Sequence, residues 1–394
     1  MEGVPETMRA VLVREWGAEL GALAAEDGVR VPATAPGEAL VRVLASGVNP
    51  VDTYIRTGTY AVKPQLPYTP GKDGAGVVVS VNAEGASVRP GDRVYISGAS
   101  TGTLAEYCAC PLASLVQLPS RLTMEQGATL GVPLQTAYRA LFRRCGVKAG
   151  DRVLVHGASG GVGLAATSLA RRAGCRVAGT ASTPAGEALA RAAGCEAVAP
   201  HNDLKALRLA LTADGAGGEA PGFDVALEML ANATLGATLP HMAKSGRVGI
   251  IGSRGVAEGA AVVNPRDIMA RELDVRGVML GCATAEERAE ANAAAAAGIA
   301  DGTFTPAVGS LFEGLDAAGL AHVEVIHKGS GAGGTYSMCT RASGLTRLLT
   351  RQLFQIDVSR ASPLTLSSPR AFAHHHAWTA LTDRTGRAIY LGAS

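Results

Sequence analysis

Between Arg9 and about Gly131 the hydrophobic residues come in short runs, "AVLV", "EALVRVLASGVNP", "GAGVVVSVNAEG" and "GDRVYIS", each cut off by glycine, proline or asparagine. Such runs between turn-forming residues predict a mostly β domain, in which "GVVVSV" is a strand and "GVNP" and "RPGD" are loops. The rhythm changes at "GVPLQTAYRALFRRCG", where apolar positions recur at helical spacing as far as Gly146. Strand and helix patterns then alternate: "RVLVHG", "LAATSLARRAG", "CRVAGT", "AGEALARAAG", "CEAVAP", "LKALRLALTA", "FDVALEM", "RVGIIG". The strand runs are continuously apolar, as strands covered on both faces must be, and helices such as "EALARAAG" close on glycine. The prediction is an α/β chain with a doubly wound parallel sheet from about Pro133 to Asp274.

A strand "DVRGVML", an alanine-rich helix around Glu286 to Ile299 and "GLAHVEVIHKG" follow, and are expected to return to the first domain. Alanine is the best helix former, so "AEANAAAAAG" reads as helix. The predicted layout is a mostly β domain over 1–132, completed by about 275–334, around a doubly wound domain over 133–274. A cleft between two such domains is the default ligand site. From Thr335 to Ser394 the periodicity is lost and Ser, Thr and Arg dominate, so poor order or isolated short helices are expected. His374, His375 and His376 in that stretch read as solvated.

Composition narrows the function. The 394 residues, 47% of them hydrophobic, suffice for two cores at roughly 150 residues per domain. Only 18% are charged and the formal net charge is +2, so no field recruits nucleic acid or an anionic membrane; any phosphate affinity must be local. An aromatic content of 4% also argues against a stacking platform for RNA. Seven cysteines are an odd set, and "MEGVPETMRA" holds two acids and no apolar leader core, which together predict reduced thiols in a cytoplasmic protein. Val153 to Ala170 carries no charge, but its glycines suit a strand-turn-helix better than a membrane span.

That stretch, "VLVHGASGGVGLAAT", holds the clearest chemistry. At the end of the first strand of a βαβ unit the chain must turn sharply, approach a ligand and enter a helix packed tightly on the sheet, and glycine permits each by lacking Cβ. The helix starting near Val162 aims unpaired N–H groups at the loop, a seat for a pyrophosphate. "ASGGVG" departs from the usual fingerprint at Ala158 and keeps Gly160 and Gly163. About twenty residues on, where an NAD site carries an acid for the ribose, "GTASTPAGE" has none before Glu187. With Thr180, Ser182 and Thr183 offering hydroxyls and His201 near by, the prediction is NADPH over NADH.

"GVNPVDTYIRTGTY", "PYTPGKDGAGVV", "PGDRV", "VHGASGGVGLAA", "EMLAN", "GSRG" and "NPRD", in this order from about Met8 to Gly334, resemble the medium-chain dehydrogenase/reductase superfamily, most closely its quinone oxidoreductase, or ζ-crystallin-like, branch. The resemblance implies a GroES-like catalytic domain and a Rossmann cofactor domain. Zinc alcohol dehydrogenases of the superfamily place a Cys where this chain has Asn49, and a His-Glu pair where it has Lys72 and Asp73. Neither loop offers thiolate or imidazole, so no metal is predicted. Without a Lewis acid, reduction of an electron-poor acceptor such as a quinone is the chemistry that remains. After "IHKGSGAGG" relatives continue with a short Lys-led apolar strand, whereas this chain reads "TYSMCT", which predicts an open edge on the catalytic sheet.

By the same resemblance Tyr54 lines the cofactor and acceptor site, Asn49 lies near the nicotinamide ribose and Tyr60 is close by; these three are the catalytic candidates. Ser159, Gly160, Gly161, Val162 and Gly163 go to the pyrophosphate, Ser182 and His201 to the adenosine end. Asn232, the turn Ile251, Gly252, Ser253 and Arg254, and the run Val278, Met279 and Leu280 go to the nicotinamide half. The implied activity is a zinc-independent NADPH:quinone oxidoreductase acting on a small quinone or conjugated carbonyl, expected as a homodimer or homotetramer. The alternatives are an NADPH-dependent enone or alkenal double-bond reductase, which needs a proton donor, and a non-enzymatic crystallin or RNA-binding protein that keeps the fold.

Overall fold

The computed structural model describes residues 3–17, 23–211, 221–253, 260–328, 337–341, 378–382 and 388–392. The chain divides into two units, Met1–Ser343 and Gly344–Ser394. The first opens with β1 (Thr7–Val11), β2 (Ala25–Arg30), β3 (Glu38–Val48) and a short helix α1 (Pro50–Arg56). β4 (Asp73–Asn82), β5 (Arg93–Ser97), β6 (Tyr107–Pro111), β7 (Leu115–Gln117) and α2 (Met124–Ala128) follow. β1 pairs with β2, while β4, β5 and β7 extend antiparallel from one edge of β3 and β6 covers the first half of its other edge.

From α3 (Gly131–Tyr138) the pattern becomes alternating: β8 (Arg152–Val155), α4 (Gly161–Arg172), β9 (Arg176–Thr180), α5 (Pro184–Ala193), β10 (Ala197–Ala199), α6 (Leu204–Ala210), β11 (Phe223–Glu228), α7 (Ala231–Thr238), β12 (Met242–Ile250), α8 (Pro265–Met269) and β13 (Asp274–Gly277). The six strands lie parallel in the order β10-β9-β8-β11-β12-β13. The order reverses between β8 and β11, and at such a switch point the loops leaving the two strands part and open a crevice at their carboxyl ends. α5 ends as its sequence predicts, on Gly194 in the left-handed conformation at φ 115°.

Asp274–Gly277 does not lead back to the first domain, as its place in the sequence suggests; it is the edge strand of the parallel sheet, paired with Arg247–Ile250. α9 (Ala285–Asp301) stays there too, with Ala295 and Ile299 in one core with Ala165 and Leu169 of α4. The chain returns to the catalytic sheet only at β14 (Val308–Glu313), before α10 (Ala318–Lys328). The same core takes in Ala45, Ala75 and Tyr95 of the catalytic sheet and Leu130, Leu134 and Leu141 beside them, so the two halves share buried surface behind the crevice. No helix among the described residues is long and apolar enough to cross a membrane.

The stretch after Thr335 also departs from expectation. β15 (Ser337–Arg341) runs parallel to β14 and antiparallel to Ala45–Val48 of β3, taking the edge that β6 leaves uncovered. The ladder is made by main-chain groups, so a segment without an apolar pattern still enters it. In the second unit β16 (Trp378–Thr382) and β17 (Ala388–Gly392) pair antiparallel, Trp378 opposite Gly392. His374, His375 and His376 lie outside the described residues.

Proline cannot donate to a ladder, and β15 is flanked on both sides. Thr340→Pro is expected to destabilise the first unit by on the order of 2 kcal/mol, read as a lower urea midpoint. An unchanged midpoint would place Ser337–Arg341 outside the sheet.

Candidate active site

Main-chain proximity builds the glycine loop. Gly157 turns at φ 60° after β8, Ala158 N–H donates to the Thr180 carbonyl (2.9 Å), and Gly160 N–H to the Gly157 carbonyl (2.9 Å). A Cβ on Gly163 would lie 2.2 Å from the Gly157 oxygen, so α4 can pack this close only with glycine there. Ala158 at the usual first glycine is tolerated because of Gly179 on β9: a Cβ there would lie 2.5 Å from that of Ala158. α4 starts after Gly160 with no side-chain cap and no acid in its first turn, leaving the N–H groups around Gly161, Val162 and Gly163 directed at the crevice. Ser159 beside them is buried.

Across the switch point, Ile251 and Gly252 N–H donate to the Glu228 carbonyl (2.9 and 3.2 Å), Ala231 N–H donates to Gly252 O (2.9 Å), and Ser253 bridges Leu230. A Cβ on Gly252 would come within 2.6 Å of Met229 O. These contacts draw the ends of β11 and β12 together around Asn232, in the first turn of α7. Its amide oxygen is buried with no hydrogen-bond partner, an acceptor awaiting a donor. Val278 N–H donates to Ile250 O (2.8 Å) and leads Met279 and Leu280 along the same rim. Arg254 lies outside the described residues.

The catalytic half meets this rim through α1. Thr59 and Tyr60 N–H donate to Tyr54 O (3.0 and 3.1 Å), curling the chain back over the helix, and Tyr60 Oη donates to Met279 Sδ (3.4 Å). Beneath, Asn49 caps α1 in a capping box with Asp52: Asn49 N–H donates to Asp52 Oδ2 (2.8 Å). Asn49 Nδ2 donates to Asp73 Oδ2 (2.8 Å), and Val132 N–H at the start of α3 donates to both Asp73 oxygens (2.9 and 2.8 Å). A Cβ on Gly131 would fall 2.1 Å from Asp73 Oδ1, so the helix end closes on the carboxylate only through glycine. Among the described residues no three His, Cys, Asp or Glu side chains gather to hold a metal ion. At this point of the fold the Asn49 amide donates to the Asp73 carboxyl.

Burial pushes the Asp73 carboxyl up to about 8, aided by Asp52 and opposed by Asn49, Val132 N–H and Lys72. Burial likewise raises Asp52 to about 6, opposed by the Asn49 and Lys72 main-chain N–H groups and the Lys72 charge.

Of the hydroxyls expected near the adenosine end, only Ser182 is exposed. Thr183 accepts from Gly186 N–H (3.1 Å) as the cap of α5. Thr180 points inward, where its Oγ1 accepts from Gly157 N–H (3.0 Å) and contacts Nδ1 of His201 (2.8 Å) and of His156 (3.3 Å). His201 Nε2 faces Ser182 Oγ (3.1 Å), and His156 Nε2 meets Thr238 Oγ1 (2.9 Å). Thr238 and Thr234 hydroxyls donate to the two oxygens of Glu228, which is fully buried. His156, Glu228 and Thr238 are not among the residues that the sequence motifs single out. The available signal was an acid ending a strand that is apolar from Val225 to Leu227, with threonines six and ten positions on.

Residues 35–120 match the family described as alcohol dehydrogenase GroES-like domain, and 161–297 the family described as zinc-binding dehydrogenase. The quinone oxidoreductase of Pongo abelii is 43% identical over 327 residues, 83% of this chain and 96% of that protein. The quinone oxidoreductase of Homo sapiens is 42% identical over the same length and shares. Among solved structures, a mycobacterial protein complexed with NADPH superposes with a TM-score of 0.72 at 28% identity, over 85% of this chain and 99% of that one. The quinone oxidoreductase of Thermus thermophilus, also solved with NADPH, gives 0.70 at 29%, over 85% and 100%.

Folded Asp73 keeps its proton to about pH 8, whereas an unfolded carboxyl releases it near 3.8, so its contribution to stability is present in acid and lost as pH rises through that window. Urea midpoints of the wild type should therefore fall across it. Asp73→Asn should fall less steeply while starting lower by about 1–3 kcal/mol, because an amide N–H replaces one acceptor of the Val132 and Asn49 donors. Equal slopes in the two proteins would show that Asp73 is not the group that titrates.

Proposed function

The chain belongs to the quinone oxidoreductase branch of the medium-chain dehydrogenase/reductase superfamily, and from that membership we propose a zinc-independent, cytoplasmic NADPH:quinone oxidoreductase that binds its acceptor in the crevice beside α1. The observation that carries the reading is the company two features keep. A bare helix terminus fit for a pyrophosphate lies in the same unit as an Asn49–Asp73 pair standing where a catalytic metal would need ligands.

The residues fit the cofactor. Ser159 to Gly163 offer main-chain N–H groups to the two phosphates, and Ser182 with His201 offers the ribose end a side free of carboxylates. The orphaned oxygen of Asn232 suits the donors of the nicotinamide half, along which Ile251, Gly252, Ser253, Val278, Met279 and Leu280 supply main-chain and apolar contact. When bound, NADPH supplies the reducing equivalents.

The protein's own part is to orient the acceptor and exclude water. Tyr54 offers a ring face and Tyr60 a hydroxyl. The hydroxyl rests on a thioether, a weak acceptor, so it can transfer to a quinone oxygen at little cost. Asn49, held by Asp73, has its amide fixed in one orientation beside them.

A steady-state panel tests the reading: NADPH oxidation with 1,2-naphthoquinone and with an alkenal, before and after exhaustive chelation. Naphthoquinone reduction should survive chelation, and Tyr60→Phe should lower kcat/KM for the quinone about fivefold, the worth of one hydrogen bond. Activity on the alkenal alone, or its loss with chelator, would overturn the proposal.

A further inference from the structure

Resting on the NADPH reading, we propose that Glu228 is a positioning residue that sets the proton order of His201 through Thr238, His156 and Thr180, so that the 2′-phosphate binds with uptake of one proton. Donors and acceptors along this one buried chain can be assigned in order. A carboxylate only accepts, and Thr238 Oγ1 lies 2.5 Å from Glu228 Oε1 against 3.1 Å from the Thr234 carbonyl, so its single hydroxyl hydrogen goes to the shorter, charge-assisted contact with Glu228. Thr238 Oγ1 can then only accept from His156 Nε2, which must carry a hydrogen; with Glu228 Oε1 at 3.4 Å, a bare lone pair there would also be repelled. Burial lowers the pKa of His156, with Glu228 opposing, and keeps the ring neutral, so its Nδ1 is bare and accepts from Thr180. Thr180 has now given its hydrogen to His156 and one lone pair to Gly157 N–H, so it can only accept from His201 Nδ1. His201 is thereby held as the Nδ1–H tautomer with Nε2 bare, facing the Ser182 hydroxyl.

A phosphate dianion is itself an acceptor, and a bare Nε2 would oppose it lone pair to lone pair. Turning His201 to the Nε2–H tautomer would reverse every hydroxyl in the chain and strip Glu228 of a donor, leaving a buried carboxylate oxygen without its partner. Adding a proton from solvent to Nε2 leaves the buried chain unchanged: one N–H bond forms there, and the Ser182 hydroxyl, no longer facing a bare nitrogen, turns its hydrogen outward, so that both groups are donors. The charged and titratable groups facing His201 are His156 at the end of β8 and Glu228 on β11. Burial and His156 lower the pKa of His201 and Glu228 raises it, so the free enzyme holds the ring neutral.

The free wild-type enzyme, labelled with 15N, gives the first test, with His201 assigned by its loss in His201→Gln. Two-bond proton–nitrogen correlations above the ordinary histidine pKa should show Nδ1–H for His201 and Nε2–H for His156. Titration calorimetry in buffers of different ionisation enthalpy should then show NADPH taking up about one proton per site and NADH none, with NADPH affinity falling about tenfold per pH unit above neutrality. Glu228→Gln and Thr180→Val, which release or cut the chain, should populate the Nε2–H tautomer and reduce the uptake at least twofold, while Thr180→Ser should restore it. An Nε2–H His201 in the wild type, or full uptake in both chain-breaking variants, would overturn the proposal. Equal wild-type affinity for NADPH and NADH would instead overturn the cofactor reading, and the spectrum of the free enzyme separates the two failures.

Discussion

One buried carboxyl group ties the working parts of this molecule together. Asp73 stands at the start of β4, fully enclosed, and takes hydrogen bonds from Asn49 at the cap of α1 and from Val132 at the opening of α3. α1 carries Tyr54, with Tyr60 in the turn that follows it, and α3 leads into the parallel sheet. The relative placement of tyrosines and sheet therefore passes through a side chain with no solvent to replace its partners. Losing the Val132 donor would leave the buried Oδ1 unsatisfied and losing Asn49 would leave Oδ2 to a shared N–H, which is why such contacts fix geometry more strictly than the apolar packing around them.

The parallel sheet uses a second polar device. His156, Thr180 and Glu228 sit near the carboxyl ends of β8, β9 and β11, where apolar residues would have packed more simply. A partly satisfied network there would be worse than a hydrophobic core, but each ring nitrogen of His156 and each of these hydroxyls has a partner. It also explains why the hydroxyl of Thr180 is turned away from the surface while Ser182, two residues on, is exposed: the side chain that ends β9 faces the network, and the chain has left the sheet by Ser182.

Much of the architecture could be read directly because parallel strands are buried on both faces and write continuous apolar runs. That signal identified "RVLVHG" and "FDVALEM", and the glycines of "ASGGVG" marked the turn between strand and helix. It failed where strands obey a different rule. "DVRG" has the same pattern whichever sheet it joins, so only spatial pairing placed it at the edge of the parallel sheet. "SMCTR" has no apolar pattern, yet the main chain of β3 accepts it. The tight turn of the loop was legible in its glycines. The partners of Asp73 and the inward turn of Thr180 were not, because sequence order does not say which face of a strand a hydroxyl takes or which helix end a carboxyl meets.

β15 closes a gap in a sheet with five residues whose only common property is an extended backbone. Any residue that keeps its main-chain N–H can therefore stand in this stretch, since what the neighbouring strands meet is carbonyls and amides and not the letters attached to them. A sheet completed this way tolerates wide change in the letters of its last strand.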